Sequence, residues 1–126
     1  MSDDLPQPEN PDCPFCKIVA GLAPADVVWA WPNALMIRPI SPVVDGHTLV
    51  LPTRHVRDAA EDPAITAEVM GLAASMCHRE RPMNIITSIG LAATQTVFHL
   101  HVHLVPRALG DGLALPWTGQ KREQQR

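Results

Sequence analysis

Six histidines occur in the chain, and five of them fall in patterns that could do chemistry. Residues 98–106, FHLHVHLVP, place His99, His101 and His103 at alternate positions in an otherwise apolar run. His47 and His55 flank a second apolar run, DGHTLVLPTRH, and Cys13 and Cys16 form the pair CPFC. Neutral imidazole is a common zinc ligand, and two cysteines three apart are a common half of a zinc site. Imidazole can also act as a nucleophile that forms a covalent intermediate. A redox role for the C-x-x-C pair needs a buried strand feeding the first cysteine, and the preceding PENPD is no such strand. Metal binding and nucleophilic catalysis therefore both stay open on residue type and spacing alone.

These residues can act together only if local structure aligns them. Alternate positions share one face of a β-strand, so a strand from Gln95 to Val105 sets the three imidazoles against Leu100, Val102 and Leu104. On a helix the same spacing would scatter them through about 200°. Strands are also expected at DVVWA, NALMIRPI, HTLVLP and MNIITSI, with turn residues Pro32-Asn33 between the first two. CKIVAGL predicts a short helix ending at Gly21. The long helix starts at Asp58 or Asp62, with Pro63 suited to its first turn. Ile65, Val69, Leu72 and Met76 carry it toward Arg81, and Pro82 stops it. Cys77 falls in this helix as a small core residue. The fold class is α+β: a largely antiparallel five-stranded sheet, one long helix and a short N-terminal helix.

Composition excludes several function classes. At 126 residues, 46% hydrophobic and 18% charged, the chain reads as one globular domain. A net charge of −3 gives no bulk attraction to nucleic acid or to an anionic membrane. No apolar run approaches the roughly 20 residues that span a bilayer. The opening MSDDLPQPENPD is acidic and proline-rich, unlike a secretion signal, so a cytoplasmic location is expected. Residues 1–12 and 118–126 lack the apolar content to order themselves and read as solvated tails around a domain at 13–117.

Together the segments resemble the histidine triad (HIT) superfamily, and within it the bacterial nucleotide-binding type. QTVFHLHVHLVPR is similar to the family's triad strand, CPFCKIVAGLAPADVV to its N-terminal segment, ISPVVDGHTLVLPTRHV to its Gly-His strand, and GLAATQ to its loop before the triad. The resemblance implies a HIT-like fold and a nucleotidyl hydrolase or transferase. His101 would attack the α-phosphorus of a nucleotide phosphoester, phosphoanhydride or phosphoramidate. His103 would bind a phosphoryl oxygen and assist the leaving group, while His47 and the backbone around His99 would orient the nucleophile. Gln95 and Thr96 would donate to the phosphate. Ser88 would take the place of a substrate-binding asparagine.

The resemblance also implies a structural zinc on Cys13, Cys16, His55 and His99, and a homodimer, for which the long helix and the strand after it are the expected interface. Its partner would be a nucleotide or nucleotide conjugate. Two positions depart from the family pattern: Pro39 replaces a ribose-binding acid, and Thr94 replaces a glycine. A divergent nucleotide-binding module with weak or no catalysis is the alternative function. A third possibility is a triad that holds the metal directly.

Overall fold

The computed structural model describes residues 7–117. The elements run α1 (Pro14–Val19), β1 (Asp26–Trp31), β2 (Ala34–Arg38), β3 (Thr48–Pro52), α2 (Pro63–Ser75), β4 (Met83–Ile86) and β5 (Val102–Pro106). The five strands form one sheet in the order β1-β2-β3-β5-β4, and every neighbouring pair is antiparallel. With two helices added, the architecture is α+β. No helix among the described residues is long and apolar enough to cross a membrane.

Each face of the sheet is covered by a different part of the chain. On one face α2 packs against β3 and β5, and Val69 and Ala73 meet Met36, Val50, Val102 and Leu104. On the other, Cys13, Phe15 and Cys16 pack on Ile37, Leu49 and Leu51. All five residues of β3 are consequently buried. Fully burying a side chain such as Val69 stabilises the fold by about 1.5–3 kcal/mol. The CPFC segment therefore helps to close the core as well as carrying thiols.

Both helices start and stop for local reasons. Cys13 caps α1 by accepting from the Cys16 amide at 3.3 Å, which starts the helix at Pro14, two residues before the expected Cys16. Asp62 caps α2 by accepting from Ala64 and Ile65, with Pro63 in the first turn as anticipated. α2 ends at Ser75, short of the expected Arg81. The apolar stripe ends at Met76 and Cys77, and the polar residues 78–81 have no face to bury.

The histidine strand is shorter than its pattern indicates. Pairing with β3 covers Val102 to Leu104, and its continuation would bring Leu100 opposite Pro52. Pro52 has no N–H to donate. Its carbonyl accepts from the His99 ring at 2.8 Å, and the Leu100 amide turns to Val56 instead at 2.7 Å. The ladder ends there. His99 and His101 thus precede β5, and among the three only His103 lies in it.

Residues 1–6 and 118–126, most of the two expected tails, lie outside the described residues. Within 7–12, Glu9 accepts from the His55 amide at 3.1 Å and Asn10 accepts from the Asp12 amide.

Candidate functional site

Cys13, Cys16, His55 and His99 converge although up to 86 residues separate them. Cys13 Sγ lies 3.4 Å and Cys16 Sγ 3.6 Å from His99 Nδ1. His55 Nδ1 lies 3.2 Å from Cys16 Sγ and 3.3 Å from His99 Nδ1. All four ligand atoms fall within 4.8 Å of one another. A tetrahedral zinc with ordinary Zn–N and Zn–S bonds would set its ligand atoms about 3.3–3.8 Å apart, so the spacing fits. The tautomer fits as well: His99 Nε2 donates to the Pro52 carbonyl, which leaves the Nδ1 lone pair facing the cluster.

His99 is fully buried, and burial lowers its pKa to about 4, so the ring is neutral as a ligand must be. Burial pushes the Cys16 thiol up to about 11. Two thiols packed on two imidazoles form a donor set that a dication would complete, deprotonating the thiols.

His101 and His103 continue from this cluster into a second arrangement. His101 Nδ1 donates to the His99 carbonyl at 2.7 Å, which leaves the Nε2 lone pair free. Thr87 Oγ1 bonds the His101 carbonyl at 2.8 Å and fixes the backbone there. The Val43 amide donates to His47 Nδ1 at 3.1 Å, so His47 carries its proton on Nε2 and donates to His103 Nδ1 at 3.0 Å. His103 therefore bears its own proton on Nε2. The result is a lone pair on His101 beside an N–H donor on His103, with the two rings 5.0 Å apart. Burial lowers the pKa of His101 and His47 and takes His103 to about 4, so all three stay neutral near pH 7.

Gly46 permits the backbone turn that leads into His47. Its φ is +89°, and a Cβ there would meet Pro106 Cγ at 3.1 Å.

Two cavities meet at His47 and His103. The larger, about 900 Å³, is lined by His101, His103, His47, Thr96, Pro39 and Phe15 among others, and Asp26 and Asp45 also reach its wall. The smaller, about 370 Å³, is lined by His47, His103, Ser88, Thr94 and residues 113–115. Thr96 is exposed at the larger cavity, where its groups can meet a ligand. Ser88 lies in the smaller one instead.

Gln95 departs from its expected role as a phosphate donor. It is buried, and its Nε2 donates to the carbonyls of Arg57 at 2.7 Å and Val97 at 3.2 Å. Its Oε1 accepts from the Gly90 amide at 2.8 Å. Both donor hydrogens are used, so Gln95 braces the loop. Phe15 is a contributor that residue-type reasoning passed over. It packs edge-on against His99 at 5.7 Å and His101 at 5.1 Å, and joins the two clusters.

Comparison with known proteins settles the family. Residues 20–109 match the HIT domain. The chain belongs to the HIT family. A HIT-like protein of Mycobacterium tuberculosis, itself uncharacterized, is 37% identical over 110 residues, which is 82% of this chain and 76% of that protein. The crystal structure of a zinc-bound histidine triad family protein from Mycobacterium smegmatis superposes with a TM-score of 0.73 at 40% identity, covering 82% of this chain and 81% of that one. An adenylylsulfatase of Arabidopsis thaliana is 30% identical over 115 residues, which is 81% of this chain and 55% of that protein.

Proposed function

We propose that this HIT protein is a nucleotidyl hydrolase or transferase that works through a covalent intermediate on His101. The observation that carries the reading is the chain of hydrogen bonds from Val43 through His47 to His103, beside the bond from His101 Nδ1 to the His99 carbonyl. Together they leave His101 Nε2 as an unprotonated nucleophile and His103 Nε2–H as a donor. The adenylylsulfatase among the relatives supports chemistry at a nucleotide α-phosphate.

In the first step the His101 Nε2 lone pair forms a bond to the α-phosphorus and the bond to the leaving atom breaks. His103 Nε2–H and Thr96 donate to the phosphoryl oxygens and the departing atom, where charge develops. The positive charge of the nucleotidyl-imidazolium stays on His101, whose Nδ1–H points at the His99 carbonyl. Water then attacks phosphorus, the P–N bond breaks, and its electron pair returns to Nε2. One water proton stays with the nucleoside monophosphate, and the other ends on the leaving group or in solvent. Splitting the displacement in this way is the usual gain of covalent catalysis.

Cys13, Cys16, His55 and His99 would hold a structural zinc, since four protein ligands close the shell. Zinc there supplies folding free energy. The zinc-bound relative supports this part of the reading. We further infer a homodimer across α2 and the outer edge of β4, and a reducing, cytoplasmic location in keeping with the free thiols Cys13, Cys16 and Cys77.

One observation favours the second reading, a nucleotide-binding module with weak turnover. Pro39 lines the larger cavity and offers no acceptor to ribose hydroxyls. The test is release of nucleoside monophosphate from adenosine phosphoramidate and adenylyl sulfate, with acid-quenched protein searched by mass spectrometry for a nucleotidyl adduct on His101. Turnover with the adduct supports the hydrolase. Tight nucleotide binding without either supports the module.

A further inference from the structure

Thr94 is the one non-glycine residue with a positive φ, 74°, among the described residues. A β-branched residue is a real outlier there, and such strain persists only where surrounding structure overdetermines it. The surroundings here are explicit. The Gly90 carbonyl accepts from the Ala93 and Gln95 amides, the Leu91 carbonyl accepts from the Thr94 amide, and buried Gln95 pins the next position through three side-chain bonds. These bonds hold the Thr94 backbone at its positive φ. Its hydroxyl proton is committed to the Ala93 carbonyl, so what it adds to the cavity wall is bulk and not a donor.

That wall belongs to the smaller cavity, which Thr94 shares with Ser88 and His103. Thr96, two residues on, lines the larger cavity, which His101 also lines. His101 lines only the larger of these two cavities, while His103 lines both. In an in-line displacement the leaving group departs opposite the nucleophile. With the nucleoside in the larger space and His101 attacking, the departing group moves past His103 toward the smaller one.

We propose that Thr94 sets the upper size of the leaving group. Its rigid, β-branched side chain restricts the smaller cavity to compact groups. This inference rests on the nucleotidyl-transfer reading and adds a substrate preference to it.

The test uses adenosine 5′-phosphoramidates of methylamine, isobutylamine and 1-adamantylmethylamine, amines of similar basicity and increasing bulk, on the full zinc-loaded chain. The unmutated protein should lose at least about tenfold in kcat/KM from the smallest to the largest. Thr94→Gly, which suits φ 74°, should recover most of that loss. Thr94→Val, which keeps the bulk and removes the hydroxyl, should keep the discrimination. Size-independent rates in the unmutated protein overturn the inference and leave the reaction standing. So does discrimination that survives Thr94→Gly or disappears in Thr94→Val. Absence of turnover on all three substrates overturns the reaction and the inference together.

Discussion

His99 and His101 sit two residues apart, share contact with Phe15, and present opposite ring nitrogens. The Pro52 carbonyl takes the Nε2 proton of His99, which turns Nδ1 toward two thiols and His55. The His99 carbonyl takes the Nδ1 proton of His101, which leaves Nε2 for a substrate. One ring is sealed in the core. The other lines a cavity of about 900 Å³. The residue type is the same, so the division of labour comes from which backbone oxygen each ring meets. An imidazole's role here is a property of its second nitrogen.

Disabling each cluster in turn gives the largest contrast. His101→Ala should lower turnover at least about a thousandfold, because no neighbour can form the same adduct. Its zinc content, measured by metal analysis, should stay at one per chain. Cys16→Ser should do the reverse in order of cause: zinc falls first, and stability follows. A site filled at a hundred to a thousand times its dissociation constant contributes about 3–4 kcal/mol, which denaturant titration resolves. Equal zinc loss in both variants would erase the distinction between the two clusters.

Positioning effects come next. His47 lies outside the set Cys13, Cys16, His55 and His99, and it sets the tautomer of His103. His47→Ala should cost about a hundredfold in kcat with little change in KM, the scale of a misplaced catalytic group. A purely structural role would lower stability without that split.

The period-2 placement of His99, His101 and His103 is legible in the sequence, and the family resemblance makes the convergence of Cys13, Cys16, His55 and His99 legible too. The strand's extent is not. Its ladder stops at Pro52, whose carbonyl is taken by a side chain 47 residues away. The Val43 amide has no sequence signal because a backbone group acts there whatever residue carries it, whereas the backbone at His99 is implied by the family resemblance. The amide of Gln95 suits a phosphate by residue type, but in the fold three backbone groups already use it. Helix α2 was overextended because its polar end has no pattern to contradict helix.

A smaller effect separates the clusters by pH. Burial, then the neighbouring His101 and His47 charges, hold His103 at about 4 against an ordinary 6.5. The unfolded chain therefore binds the proton first. His103 should cost stability as pH falls from 6.5 toward 4 and no more below that. His103→Gln, compared with the unmutated protein by denaturant titration across that range, should show a shallower loss.

The smallest effect lies in the wall of the larger cavity. With Pro39 in its wall, preference for ribose over 2′-deoxyribose should be under about tenfold, or 1.4 kcal/mol. Pro39→Asp should raise it. A hundredfold preference in the unmutated protein would point to Asp26 or Asp45, which share that cavity, and Asp→Asn at each would identify which.

The central claim is the division of ring nitrogens, and long-range 15N NMR of the histidine side chains in zinc-loaded protein reads it directly. The geometry predicts His99 protonated on Nε2 with a metal-bound Nδ1, His101 protonated on Nδ1, and His103 protonated on Nε2. His101 found protonated on Nε2 would leave no nucleophile facing the cavity and would contradict the account.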